Sequence, residues 1–308
     1  MTPSLNLGYL VFGVRDTDAW DAFGRTFLGL PAPVANSDGS SGWRVDAAAH
    51  RLIVQQHKAD DVLALGFDAG SAASLDAHVA RIEAAGHRVA QAAPGEVKAR
   101  RVACLSVLTD PAGNRIELFH GLEAAAAAFD SPAFPGRFRT GELGIGHAVL
   151  VHDDLEAMEA FYTSALGFAV TERLDTKVGP IRVRGTFMHC NARHHSLALF
   201  DLPSRKRLHH FMLEANDPMD VGRAFERAEQ QGVPISLDLG QHPRPDGTFS
   251  FYGTTPAGFD FEIGAGAGLI DPQRWESTAT GQTSSWGHKP RMRLRLRAIR
   301  DLASRALA

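Results

Sequence analysis

Asp110-Pro-Ala-Gly-Asn-Arg-Ile-Glu117-Leu-Phe and Thr255-Pro-Ala-Gly-Phe-Asp-Phe-Glu262-Ile-Gly are one phrase written twice, 145 residues apart. A second pair matches at an offset of 138. Leu7-Gly-Tyr9 runs into Asp16-Thr-Asp-Ala-Trp-Asp-Ala-Phe23 and Leu28-Gly-Leu, as Ile145-Gly-His147 runs into Asp154-Leu-Glu-Ala-Met-Glu-Ala-Phe161 and Leu166-Gly-Phe. Two gapless matches at nearly one spacing mean a tandem duplication, and a repeat of this kind has to be recognised before any fold is assigned. The copies diverge in their chemistry. His147 stands where the first copy has Tyr9, and the register set by Gly86 and Gly232 puts His210 opposite Ala64. The acid persists in both, as Glu117 and Glu262. This pattern reads as a metal site in the second half and a scaffold without one in the first.

Each half divides again. An apolar run at 5–14 has the composition of a buried strand. Asp16 then suits a helix N-cap, with Trp20, Phe23 and Phe27 on one helical face. Strand-like stretches follow within 41–55. A second unit starts at Val62, with Leu75, Val79 and Ile82 on a helix that stops before Gly86, then strands around 101–109 and 114–119. The second half repeats the order, with strands at 145–151, 168–173, 181–188 and 195–201, then 209–215, 233–238, 248–254 and 259–264. Strand, helix and three strands, four times over, does not alternate as a doubly wound sheet does. The fold class is α+β: two tandem domains, each of two βαβββ modules forming a curved, antiparallel-rich sheet. The expected boundaries are 1–125 for a first domain lacking metal ligands, 141–285 for a catalytic domain, and 286–308 for a tail. The alanine, proline and glycine of 123–136 suit a linker.

Composition narrows the partners. The 308 residues suffice for two cores of ordinary size, and a net charge of −3 gives no basic field for nucleic acid or anionic membrane. Cys104 and Cys190 lie in different halves without CxxC spacing, which suits a reducing compartment. No signal segment or membrane-spanning run is present, so the expectation is a cytoplasmic protein. The run Arg291-Met-Arg-Leu-Arg-Leu-Arg is expected to be a solvated strand edge or a tail helix.

Two histidines and one carboxylate with open positions opposite select ferrous iron, with Mn(II) as the alternative ion. His147, a histidine of the pair His209-His210, and Glu262 sit on equivalent strands of repeated modules. Each also has a bland alternative: His147 as a core histidine, and Glu262 as a structural acid like Glu117. Strand alternation should send His209 and His210 to opposite faces, so that one of them points inward.

The stretches Gly144-Ile-Gly-His147, Cys190-Asn-Ala-Arg-His-His195-Ser-Leu-Ala, Leu208-His-His210-Phe-Met-Leu-Glu, Phe249-Ser-Phe-Tyr252, Thr255 to Glu262 and Trp286-Gly-His-Lys together resemble the two-domain extradiol ring-cleavage dioxygenases of the vicinal oxygen chelate superfamily. The resemblance is strongest to the group that opens 2,3-dihydroxybiphenyl and 1,2-dihydroxynaphthalene. It implies a glyoxalase-like fold, Fe(II) in the second half, an aromatic diol and dioxygen as substrates, and a homo-oligomer. It selects His210 over His209 as the ligand beside His147 and Glu262. It also implies that His195 is the acid beside the dioxygen position, with His194 turned away to the surface. Tyr252 and His242 would meet the diol hydroxyls, Asp246 would orient His242, and Phe187 would wall the pocket. A structural histidine like His50 is the competing reading of His195, and ordinary core residues compete for Tyr252 and Phe187. His242-Pro-Arg-Pro-Asp246-Gly departs from the pattern by one residue and by its prolines. A drug-sequestering protein of the same superfamily would need only an apolar groove, and a glyoxalase-type isomerase would use a fourth protein ligand.

Overall fold

The repeated phrase folds into the same hairpin turn twice. Gly113 donates to the Asp110 carbonyl and Gly258 to the Thr255 carbonyl, with φ of 79° and 91° at the two glycines, a conformation that residues bearing a Cβ rarely adopt. In the computed structural model, which describes residues 4–178 and 181–306, these turns join the last two strands of each half.

The first module comprises β1 (Asn6–Val14), α1 (Thr17–Ala22) running into a π-helical turn at Phe23–Phe27, β2 (Val34–Ala35), β3 (Ser41–Trp43) and β4 (Leu52–Gln56). The second comprises β5 (Asp61–Asp68), α2 (Ala72–Ala84), β6 (Ala90–Gln91), α3 (Pro94–Arg100), β7 (Cys104–Thr109) and β8 (Arg115–His120). The third has β9 (Ala148–Val151), α4 (Leu155–Ser164), β10 (Ala169–Val178), β11 (Ile181–His189) and β12 (Leu197–Asp201). The fourth has β13 (Leu208–Ala215), α5 (Pro218–Gln231), β14 (Ile235–Gln241), β15 (Phe249–Thr254) and β16 (Asp260–Ala265). Two short strands, β17 (Thr278–Thr280) and β18 (Trp286–Gly287), and a final helix, α6 (Met292–Ala306), follow. The matched aspartates start matched helices: Asp16 accepts from the Ala19 amide and Asp154 from the Ala157 amide.

The strands form an eight-stranded sheet, β2-β3-β4-β1-β5-β8-β7-β6, and a ten-stranded sheet, β17-β10-β11-β12-β9-β13-β16-β15-β14-β18. The registers superpose. Val11 pairs with Ala64 as Val149 pairs with His210, and Gly66 pairs with Glu117 as Met212 pairs with Glu262. Both central ladders slip at a matched place, skipping Leu63 in β5 and His209 in β13, and the first slips a second time between Leu7 and Tyr9. A bulge therefore breaks strict alternation at the histidine pair.

The helix α3 departs from the expected pattern of one helix per module; it opens on Pro94, which suits the first turn of a helix. The arginine-rich run is helical: Arg297 on α6 donates to both oxygens of Asp260, at 2.8 and 2.6 Å. Residues 123–136 form no helix or strand of their own, yet they are not a free linker, since Phe129 and Phe134 are buried in the core with Phe138. That core runs across both sheets. Phe12 packs on Phe211 and Phe259 (5.1 and 4.9 Å between ring centres), and Phe23 and Phe27 pack on Phe261. No helix among the described residues is long and apolar enough to cross a membrane.

Candidate metal centre

Three side chains of the second sheet, two on the strands β13 and β16 and one just ahead of β9, converge on one point. His147 directly precedes β9, behind Gly146, whose φ is 113°. A Cβ at Gly146 would lie 2.2 Å from the Met212 carbonyl oxygen, so only glycine lets this backbone close on β13, where the Met212 amide donates to the His147 carbonyl at 2.8 Å. His147 Nε2 lies 3.2 Å from His210 Nε2 and 3.1 Å from Glu262 Oε2, and His210 Nε2 lies 3.4 Å from that same oxygen. All three residues are buried.

The two acids of the repeat show what this arrangement needs. Glu117 accepts from Tyr9 (2.6 Å), Arg100 (2.9 and 3.2 Å) and Arg115 (2.7 Å). Burial alone would raise its pKa, but Arg100 holds it below the usual carboxylate range. Glu262, also fully buried, meets no donor in proper hydrogen-bond geometry among the described residues. Its close neighbours are the nitrogens of His147, His210 and His242, the last at 3.5 Å, which offset the effect of burial and hold its pKa well below the ordinary value. A buried carboxylate without a countercharge costs several kcal/mol. The first half supplies guanidinium groups, and the second offers two imidazole lone pairs and a carboxylate to one cation. Ligand atoms at right angles about 2.1 Å from a metal lie roughly 3 Å apart, which the distances here approach. The residues fit a divalent ion.

The remaining predicted residues surround this point. Tyr252 is the cross-strand partner of Glu262, and its hydroxyl lies 2.8 Å from His242 Nε2. Burial and the Glu262 charge raise the Tyr252 pKa well above its usual value, so the phenol stays protonated. Burial opposes charge on His242, but Glu262, Asp246 and the Thr283 carbonyl outweigh it and raise the pKa to about 9. His195 lies with its ring 4.0 Å from that of His147 and 4.9 Å from that of Phe187. Burial, with His147 and His194 adding to it, drives the His195 pKa well below the ordinary value. Its loop is pinned by Arg193, which donates to the Leu143 carbonyl and pairs with buried Glu214.

Three expectations need correction. Asp246 does not orient His242. Its carboxylate accepts from the Thr248 hydroxyl at 2.5 Å, and the Thr283 carbonyl takes the His242 Nδ1 position at 2.7 Å. His194 is not a surface residue: it is buried, with Nδ1 3.1 Å from His195 Nδ1, and groups with His195 and Asp246. His209 does not turn away from His210, since the bulge brings the two Nδ1 atoms to 2.7 Å. The doubled histidines at 194–195 and 209–210 were a visible signal for these partners, whereas a main-chain acceptor such as Thr283 leaves none.

Residues 144–263 match the Glyoxalase/Bleomycin resistance protein/Dioxygenase superfamily, and residues 7–56 match the Dihydroxybiphenyl dioxygenase BphC D1 family. The 3-methylcatechol 2,3-dioxygenase of Pseudomonas putida is 41% identical over 92% of this chain and 97% of its own length. The chain belongs to the type I extradiol ring-cleavage dioxygenases. An iron-dependent extradiol dioxygenase of Rhodococcus jostii is 32% identical over 92% of this dioxygenase and 96% of its own length. The crystal structure titled BphC, a halotolerant catechol dioxygenase, superposes with a TM-score of 0.87 at 33% identity, covering 97% of this dioxygenase and 98% of that chain.

Proposed function

We propose that the protein uses a ferrous ion held by His147, His210 and Glu262 to cleave a catechol ring with dioxygen, at the bond next to the two hydroxyls. The carrying observation is Glu262, buried like Glu117 but facing imidazole nitrogens where Glu117 faces Arg100, Arg115 and Tyr9. Mn(II) is the alternative ion for such a donor set. When bound, the ion lowers the pKa of a diol hydroxyl and brings diol and dioxygen together.

The protein's own groups manage protons and orientation. Because the Thr283 carbonyl can only accept, His242 Nδ1 carries a proton and Nε2, shared with the Tyr252 hydroxyl, is the atom that meets a diol hydroxyl. His195 rests neutral, and with its Nδ1 facing His194 its Nε2 is the nitrogen left to act beside the dioxygen position, where it would serve as the acid. Phe187 covers the edge of that imidazole and keeps water from it. Asp246 adds negative charge near His242 from the rim of the pocket.

The substrate in this reading is a catechol substituted beside a hydroxyl, with a bicyclic diol such as 2,3-dihydroxybiphenyl preferred. The names of the matching relative and family, 3-methylcatechol and dihydroxybiphenyl dioxygenases, support it. A cytoplasmic homo-oligomer without nucleic-acid or membrane partners completes the proposal; the net charge of only −3 supports the lack of nucleic-acid and anionic-membrane partners. The test is oxygen uptake after anaerobic Fe(II) loading, with 3-methylcatechol, 2,3-dihydroxybiphenyl and 1,2-dihydroxynaphthalene. One dioxygen consumed per diol, with a yellow ring-opened product, is expected. No uptake with any of the three, at one bound iron per chain, would sink the reading.

A further inference from the structure

His209 sits in the bulge of β13 with its Nδ1 2.7 Å from that of His210. The equivalent bulge in the first half holds Leu63 beside Ala64, so both imidazoles are missing where the metal site is missing. A neutral imidazole that offers its Nε2 lone pair to a cation carries its proton on Nδ1, and that proton needs an acceptor. The Asp260 carboxylate, on the residue paired with His210 across the sheet, is already engaged by Arg297 at both oxygens and by the Thr254 hydroxyl. His209 Nδ1 is the atom at hydrogen-bond distance. Without it, the opposite tautomer would aim an Nε2 proton at His147 Nε2 and Glu262 and close the site to metal.

We propose that His209 is a positioning residue: its Nδ1 accepts from His210 Nδ1–H and fixes the tautomer and ring angle that present His210 Nε2 to the cation. The inference rests on the metal reading above. It is tested on metal-free protein by Mn(II) titration followed by electron paramagnetic resonance, comparing wild type, His209→Leu and His209→Asn. Leucine is what the first half carries in this bulge, so the fold accommodates it. Affinity for Mn(II) is expected to fall about 10–100-fold in His209→Leu, the usual scale for losing such a partner, and to recover largely in His209→Asn, whose carbonyl can accept. Nitrogen-15 NMR of the metal-free proteins should show the Nδ1–H tautomer of His210 in wild type and a mixture in His209→Leu. Any of three results overturns the inference: leucine within about twofold of wild type, asparagine no better than leucine, or a leucine variant that no longer folds. Wild type that binds no Mn(II) overturns the metal reading itself and this inference with it.

Discussion

Glu117 and Glu262 occupy one position in the repeat, and their surroundings decide what each does. The comparison of the two copies made the candidate ligands legible: Tyr9 against His147, Ala64 against His210, and an acid retained in both. The partners that hold those ligands were not legible, because they depend on a bulge (His209), on a main-chain carbonyl (Thr283) and on an unanticipated helix (Arg100). The role of His195 is open to a direct measurement. In His195→Gln, bound iron and diol affinity should persist while kcat falls by roughly two to four orders of magnitude, the scale of a lost acid–base group. Normal turnover per bound iron would leave His195 a structural residue. Its counterpart His50 gives a pH prediction for the first half. Burial, with Arg100, Arg101 and Arg51 nearby, lowers the His50 pKa to about 4. The unfolded chain takes up that proton near pH 6.5 and the folded one resists it until about 4, so the stability tied to His50 is complete above pH 6.5 and declines as pH falls between those values, by up to about 3 kcal/mol. Urea unfolding at pH 7 and pH 5 should show a smaller acid loss in His50→Leu than in wild type.

At the scale of elements, matched sequence gave matched structure. The aspartate-capped helices and the Pro-Ala-Gly turns follow from local rules that act within a few residues. The two-residue strands β2 and β6 and the helix α3 did not announce themselves, since their conformation is set by neighbours across the sheet. The segment joining the matched strands shows how one frame serves two ends. Between β6 and β7 it forms α3, which delivers Arg100 to Glu117; between β14 and β15 it is a loop that delivers His242 toward Glu262. Arg100→Met should therefore destabilise the protein by about 1.5–3 kcal/mol, because Glu117 loses its charged partner on one side while Arg115 and Tyr9 still donate to it. Replacing both partners, as Arg100→Met with Glu117→Met, should recover much of that loss in chemical denaturation. Turnover per bound iron should not change in either variant.

For the whole molecule, the shared aromatic core is the dominant fact. Phe12, Trp20, Phe23 and Phe27 of the first module bury their rings against Phe211, Phe259 and Phe261 of the fourth. Phe12→Ala should cost about 3–5 kcal/mol and lower the stability of both sheets in one transition, seen as coincident loss of circular dichroism and bound metal. Two separate transitions would show that the halves are independent.

This pairing of first module with last also sets a timetable on the ribosome. The aromatic face formed early in synthesis has no lid until Phe261 leaves the exit tunnel. At about 5–20 residues per second, that is a delay on the order of ten to fifty seconds. During that interval the nascent chain displays a sticky surface to solvent or to a chaperone, and chains stalled before β13 should precipitate where full-length chains do not.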